Sequence, residues 1–256
     1  MSPTFNKYVN RCQDFWRENG DAFQEITNKK EKDDDPDSGF EVAVFNDPGE
    51  GKTFGENVSE EKNGLLIVGC NPSGITKHKD YRKKSDELTD FYIVNTFPLD
   101  KSEDRYTMAI KEFAEKCNYS KNYYKMDVFG IMRLQQSVIS DDIKKKRCKH
   151  VDQYKELFRI FVETVIELKP EKIVFANAFI SNLIQGEDDV YERIRNGYVE
   201  VAKERDDKGG LTITFKCNNK TWESKAWFSS MLSGQRALDN GSKEFLIWAV
   251  RRPDDA

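Results

Sequence analysis

The stretch LLIVGCNPSG, residues 65–74, decides the fold of this chain. It opens with a short, continuous apolar run from Leu65 to Val68, which is typical of a strand buried on both faces, as in a parallel sheet. The residues after the run are mostly turn formers, for local backbone reasons. A turn alone does not require an amide at its centre, so Asn71 is a candidate for a role at the end of a buried strand.

Helices and strands alternate after residue 60. Apolar residues at helical spacing predict a helix over 151–168, which the dipeptide Lys169-Pro170 ends. KIVFA, residues 172–176, then predicts a strand, and NAFISNLI begins another helix. This order of helix, tight turn, strand and helix is typical of a doubly wound sheet.

The remaining segments support the same class. LTITFKC and TWESKAWFSS flank a short turn at Asn218–Lys220 and predict a hairpin whose second strand enters the sheet. KEFLIWAVRR predicts a closing helix with cations in its last turn. Further expected elements are an amphipathic first helix that includes Phe5 to Trp16, strands at FEVAVF, FYIVNTF and MDVFGIM, and helices opening at KHKDYRKKSDE and at about Ser102.

These elements predict an α/β fold: a three-layer sandwich around a mostly parallel sheet. We expect one domain over residues 1–256. Within it, residues 1–60 form an N-terminal helix and hairpin elaboration, and residues 61–256 form the core. In such sheets ligands bind at the carboxyl ends of the strands. Two loops are expected there, CNPSG after LLIV and SMLSGQR after AWFS.

Composition limits the classes of function. The net charge of −4 argues against non-specific attraction to phosphate, so nucleic-acid binding requires a local patch. No apolar run approaches the roughly 18 residues of a membrane span, and the N-terminus lacks a signal-peptide pattern. We therefore expect a cytoplasmic protein with no membrane partner. No metal or cofactor is expected, because the cysteines are scattered and form no C-x-x-C pair: Cys12, Cys70, Cys117, Cys148 and Cys217.

GCNPSG resembles the first motif of the uracil-DNA glycosylase superfamily, closest to its single-strand-selective and mismatch-specific branches. SMLSGQRALDNGSKEF resembles the second motif of the single-strand-selective branch, since Ser233 and Asn240 keep its spacing. KPEKIVFANAFISNLI matches the third strand and following helix of that family. The resemblance implies a glycosylase-like fold over about residues 60–251 and a partner that is DNA or a nucleotide or nucleobase.

The resemblance also implies roles for individual residues. An enzyme of this kind extrudes a damaged or deaminated base and hydrolyses its N-glycosidic bond without metal or cofactor. Asn71 would position the attacking water as the catalytic residue. The base would be held by Gly69, Cys70, Pro72, Ser73 and Gly74, with Tyr81 or Phe91 stacked on it. Phosphate would be held by Ser233, Gly234, Gln235 and Arg236.

The chain departs from the family at two places. Met231 stands where the family has a histidine that donates to the base, and a thioether cannot donate. Gly130 falls at about the place of an asparagine that reads the pyrimidine edge, while the similar Asn95 precedes an extra helix. A non-catalytic nucleic-acid or nucleotide-binding module and an enzyme acting on another small substrate therefore remain alternatives.

Other features have plainer interpretations. LLIVGCNPSG and SMLSGQR also fit ordinary turns, and KKKRCKH, residues 144–150, fits a solvated helix start better than a phosphate-binding patch. His78 fits a surface position, and a metal at Cys148 and His150 would need partners that the pattern lacks. Asp127 and Arg133 fit either an ion pair or a cleft lining. Core positions are expected for Trp222, Trp227 and Trp248.

Overall fold

The structure is a computed structural model that accounts for most of the chain. It describes residues 3–27, 39–46, 64–70, 83–84, 88, 91–94, 105–120, 122–132, 137–145, 148–232 and 238–253.

Helices and strands alternate through most of this part of the chain. The helices are α1 (Pro3–Thr27), α2 (Arg105–Lys116), α3 (Ser137–Ile143), α4 (Val151–Leu168), α5 (Ala178–Gln185), α6 (Asp189–Arg195) and α7 (Asn240–Val250). The strands are β1 (Gly39–Asn46), β2 (Leu65–Gly69), β3 (Lys83–Lys84), β4 (Phe91–Val94), β5 (Tyr123–Asp127), β6 (Ile131–Met132), β7 (Lys172–Ala176), β8 (Val199–Arg205), β9 (Leu211–Cys217) and β10 (Lys220–Ser229).

The strands form one mixed sheet with a parallel centre. Its order is β3-β4-β1-β5-β2-β7-β10-β9-β8, with β6 on β1. The four central strands β5, β2, β7 and β10 are mutually parallel. Antiparallel pairs then add β1 on one side and the β9 and β8 strands on the other. The predicted parallel sheet is thus confirmed for the centre, while both outer regions contain antiparallel pairs.

Helices cover both faces of the central strands. Alternate residues of β2 point to opposite faces because side chains in a strand have a period of two. Leu66 and Val68 pack in a cluster with α1, α4 and α5. Leu65 and Ile67 pack in a second cluster with α2 and α7. All four side chains are completely buried, which confirms the prediction of a strand covered on both sides in an α/β sandwich.

Helix α4 runs from the carboxyl edge of the parallel strands back to their amino edge. It ends at Lys169, whose φ of 52° is left-handed, followed by Pro170, which has no N–H to continue the helix. The next backbone N–H groups, of Glu171 and Lys172, donate to the carbonyl oxygen of Gly64 at 3.0 and 3.3 Å. This contact joins the end of α4 to the start of β2, so α4 begins near the other end of the strands.

The predicted C-terminal hairpin is confirmed. Asn218 and Asn219 both have positive φ, 50° and 60°, and asparagine tolerates this conformation better than most residues. Strand β10 pairs antiparallel with β9 and parallel with β7, with Trp227 opposite Val174. The hairpin therefore supplies the fourth parallel strand of the centre.

Ion pairs between charged side chains join helix α1 to helix α4. The Nε atom of Arg11 lies 2.9 Å from a Glu163 oxygen, and its Nη2 atom lies 2.7 Å from Glu167. Glu163 also accepts from Asn218 in the hairpin turn. The N-terminal helix is thus part of the layer that covers one face of the sheet.

Several expectations need correction. The segment expected to open a helix after the NPSG loop contains strand β3, and MDVFGIM is divided between β5 and β6. Trp227 is buried as expected and Trp222 is half-buried, but 53% of Trp248 is exposed because it lies on the outer face of α7. Helices α3 and α6 and the edge strand β8 were not predicted.

Candidate functional site

The central strands contain a topological switch point. From β2 the chain passes through β3 and β4 to β5, all on one side of β2, and it later returns to β7 on the other side. The connections from β2 and β7 therefore leave in opposite directions, which opens a crevice outside their carboxyl ends. Gly69 and Cys70 lie at that end of β2, and Asn177 lies at that end of β7. In sheets of this kind such a crevice is the usual ligand site.

The backbone after β2 is tied to the backbone after β5. The carbonyl oxygens of Gly69 and Cys70 accept from the N–H groups of Val128 and Phe129 at 3.1 and 2.9 Å. Burial raises the pKa of the Cys70 thiol, and the negative charge of Asp127 raises it further. Cys70 therefore acts as a small apolar residue and not as a thiolate nucleophile.

A buried ion pair lies beside this junction. Lys125 and Asp127 are two residues apart on β5 and bind each other through Nζ and Oδ2, and each side chain is 6% exposed. Asp127 is paired in register with Gly69. Asp127 is thus paired with Lys125 at the carboxyl end of β5. Arg133, which was expected with Asp127 either to form an ion pair or to line a cleft, lies outside the described residues.

Most of the predicted site residues lie outside the part that the structure describes. Gly130 is buried and lies three residues beyond the end of β5. The backbone of Phe91 begins β4, which is separated from β2 by β1 and β5. The residues outside the description are Asn71, Pro72, Ser73, Gly74, His78, Tyr81, Asn95, Ser233, Gly234, Gln235 and Arg236.

The base of the second predicted loop is well defined. Met231 follows β10 and is half-buried, and its carbonyl oxygen accepts from the N–H of Leu238 at 3.0 Å. Leu232 is buried in the cluster beneath α7. The loop SGQRA therefore starts and ends at neighbouring points at the carboxyl end of β10. Its anchor residue Met231 carries a thioether, which cannot donate a hydrogen bond.

The ends of β7 and β10 are joined through α5. Asn177 caps this helix, because its side-chain oxygen accepts from the N–H of Ile180 at 3.1 Å. The hydroxyl of Ser181 donates to the carbonyl oxygen of Asn177 at 2.9 Å and reaches that of Ser229 at 3.3 Å. Asn177 is thus fixed at the switch point, next to the strand that leads to Met231.

A cluster that the sequence did not predict lies at the same edge. Asp142 of α3 is buried and accepts from Lys145 Nζ at 2.7 Å, from Tyr154 Oη at 3.2 Å and from His150 Nδ1, which lies 2.9 Å away. Burial alone raises the pKa of Asp142, but the hydrogen bonds from Lys145 and His150 outweigh it and hold the pKa below its usual value. Only the spacing of Cys148 and His150 hinted at this cluster.

This cluster adjoins the switch point. The rings of Tyr154 and Phe129 meet edge to face with centroids 5.4 Å apart, and Phe129 is hydrogen-bonded to Cys70. On the other side, Lys144 Nζ lies 5.8 Å from the ring centroid of Phe179, in the first turn of α5. The segment between α3 and α4 therefore borders the crevice from the side of α4.

A separate groove of about 590 Å³ lies between α6 and β8. It is lined by charged groups of both signs, including Glu192, Arg195 and Lys203. Strand β8 is four positions along the sheet from β2, so this groove is not part of the switch-point site.

Two general features concern metals and membranes. In the described part of the chain, no three His, Cys, Asp or Glu side chains are grouped in a way that could hold a metal ion. The same part of the chain contains no helix with the length and apolar character needed to cross a bilayer.

Comparison with known proteins adds no relative. No protein-family model matches the chain, and no curated protein matches it.

Proposed function

We propose that this chain is a uracil-DNA glycosylase-like protein, which takes one base of DNA into the switch-point crevice and hydrolyses its N-glycosidic bond. The observation that carries the proposal is the position of LLIVGCNPSG. Its strand is β2, at the centre of the parallel strands, and its loop begins at the crevice where ligands bind in such sheets. The motif therefore coincides with a place that topology alone selects.

In this proposal, Asn71 orients the attacking water. An amide binds water well but is a weak base, so its contribution is position more than proton transfer. The backbone N–H groups of Ser73 and Gly74 would bind an oxygen of the departing base, which gains negative charge as the bond breaks. Tyr81 or Phe91 would stack on the base, and the loop at 233–236 would hold phosphate.

The buried carboxylates beside the crevice are consistent with a water positioned by Asn71. Asp127 is engaged by Lys125, and Asp142 is engaged by three donors. Among the described residues at this edge, the two buried carboxylates are therefore already occupied as acceptors. Water activation in the proposed reaction then depends on Asn71, and a modest rate is expected.

The test is cleavage of uracil-containing single- and double-stranded oligonucleotides, followed by alkaline scission and gel analysis. The expected result is base release by the unmodified protein and a loss of at least about tenfold in Asn71→Ala. Asn182→Ala is the matched control, because Asn182 also carries a side-chain amide and is exposed on α5. Equal product from all three proteins, or none above background, overturns the enzymatic proposal.

A second candidate function is nucleic-acid or nucleotide binding in the same crevice without catalysis. Met231 favours it, because the half-buried thioether at the base of the second loop offers no donor to a leaving base. In this case oligonucleotide binding weakens steeply with added salt, and no base is released. Binding with no base release in the presence of wild-type protein supports this candidate over the first.

A further inference from the structure

The segment between α3 and α4 has an unusual charge for this chain. Residues 144–149, KKKRCK, contain five lysines and arginines and no acidic residue, although acidic residues exceed basic ones over the whole sequence. Lys146 and Arg147 lie outside the described residues, so we give the name basic segment to the described residues of this run, Lys144, Lys145, Cys148 and Lys149. A local run of this kind can attract phosphate even where the net charge of the protein does not.

The ends of the basic segment have fixed backbone positions. The N–H of Lys144 donates to Ser140 O at 3.0 Å, and the N–H of Tyr154 donates to His150 O at 2.9 Å. Below the segment, the buried carboxylate of Asp142 binds Lys145 and His150. These hydrogen bonds hold the backbone on both sides of the segment.

The lysine side chains nevertheless face water. Lys144 and Lys149 are exposed, and 64% of the Lys145 side chain is exposed although its Nζ atom reaches Asp142. Among the described residues, no carboxylate lies within ion-pair distance of Lys144 or Lys149. Asp141 and Asp152 are exposed nearby and reduce the local potential, but they do not pair with these two lysines.

The position of the segment relates it to the crevice. Tyr154 connects its C-terminal side to Phe129, and Lys144 lies over Phe179 beside the end of β7. The exposed lysines therefore line the α4 side of the switch point. A base held in the crevice would bring its flanking phosphates to this edge, within reach of flexible lysine side chains.

We propose that the basic segment binds the phosphodiester backbone of nucleic acid on either side of a base held in the switch-point crevice. This inference rests on the proposed function and adds the surface that the nucleic acid follows. Phosphate contacts fix position and carry no sequence information, so the segment contributes affinity and not base preference.

The test compares the unmodified protein with Lys144→Gln/Lys149→Gln and with the matched control Lys203→Gln/Lys220→Gln. All four lysines are exposed, and the control pair lies on β8 and at the amino end of β10, away from the crevice. Binding of labelled single-stranded oligonucleotides, with and without one uracil, is measured by fluorescence anisotropy across about 50 to 200 mM salt. Lys145 is left unchanged because it binds Asp142.

The expected result is a loss of about tenfold in affinity at the low-salt end for the double variant, with a salt slope smaller by about 1.4. The control keeps the affinity and slope of the unmodified protein, and all three proteins keep the same ratio of affinities for the two oligonucleotides. If the double variant matches the control while uracil preference persists, the basic segment has no such role and the proposed function stands. If the unmodified protein binds no oligonucleotide, both proposals fail.

A membrane surface is the competing source of phosphate. Vesicles of phosphatidylcholine with phosphatidylserine test it in the same salt range. Capture by these vesicles that is stronger than oligonucleotide binding, and that is lost in the double variant, overturns the nucleic-acid proposal.

Discussion

The carbonyl oxygen of Cys70 accepts a hydrogen bond from the backbone N–H of Phe129 at 2.9 Å. This bond extends the β2–β5 pairing beyond the last residues of both strands. The loop that contains Asn71 therefore starts from a position that depends on how Phe129 is packed.

Phe129→Ala should destabilise the protein by about 3 to 5 kcal/mol, because the completely buried ring leaves a cavity against Tyr154. Urea denaturation followed by circular dichroism measures the loss. Phe245→Ala is the control: its ring is 57% exposed on α7, and a change within about 1 kcal/mol is expected. Similar losses in both variants would mean that Phe129 does not support the junction.

Gly64 and Gly209 form a matched pair with positive φ, 57° and 74°. A Cβ atom at Gly64 would lie 2.2 Å from the backbone oxygen of Asn122, whereas a Cβ at Gly209 has no neighbour within 4 Å. Gly209→Ala should cost about 1 kcal/mol for the left-handed backbone alone. Gly64→Ala should cost clearly more, since the starts of β2 and β5 must move apart. Thermal and urea unfolding of both variants measures the difference, and equal losses would contradict the predicted clash.

Asp142→Asn should lower the free energy of unfolding at pH 7 by about 1 to 3 kcal/mol, because a buried acceptor that binds the Lys145 ammonium and His150 Nδ1 loses its charge. The pKa of Asp142 is lowered on folding, so its stabilisation is complete above its ordinary pKa of 3.8 and is lost as the pH falls below it. The difference between the variant and the unmodified protein should therefore shrink below about pH 4.

Urea titrations at a series of pH values measure this dependence. Asp141→Asn is the control, because Asp141 is an exposed neighbour and its removal should have little effect. A difference for Asp142→Asn that stays constant from neutral to strongly acid pH would show that its charge does not stabilise the fold.

Asn177→Ala should cost about 1 kcal/mol, since α5 loses its N-cap, and Asn177→Ser should restore most of that loss. The pair also separates stability from binding at the switch point. If the serine variant is stable but binds oligonucleotides more weakly, the amide contacts the ligand. If neither variant is less stable than the unmodified protein, the cap does not stabilise α5.

Local patterns predicted the elements whose apolar residues are continuous or periodic. Leu65 to Val68 and the stripe of α4 are of this kind, and both were predicted with nearly correct boundaries. Strand β5 was predicted to start at Met126, whereas it starts at Tyr123. The prediction was too late because a lysine such as Lys125 is typical of the surface, and its buried ion pair with Asp127 is visible only in the structure. Strand β8 was not predicted, because four of its seven residues are charged and only its pairing with β9 defines it as a strand.

The site was predictable only in part for the same reason. An unusual asparagine after a buried strand marked the end of β2, and the switch point lies there. By contrast, Asp142 and His150 lie on separate elements with a basic run between them. Their contact, and the approach of Lys144 to Phe179, depend on how α3, α4 and α5 pack, which no periodicity in the sequence encodes.

The central place of β2 also has a kinetic consequence. Its partners begin at Tyr123 and Lys172, far along the chain, so both neighbours must pair with β2 across large sequence separations before LLIVG is covered. Such non-local pairing slows folding, whereas the β9–β10 hairpin closes over two residues and forms early. During that delay an uncharged, apolar segment stays open to other chains, so we expect refolding yield to fall as protein concentration rises.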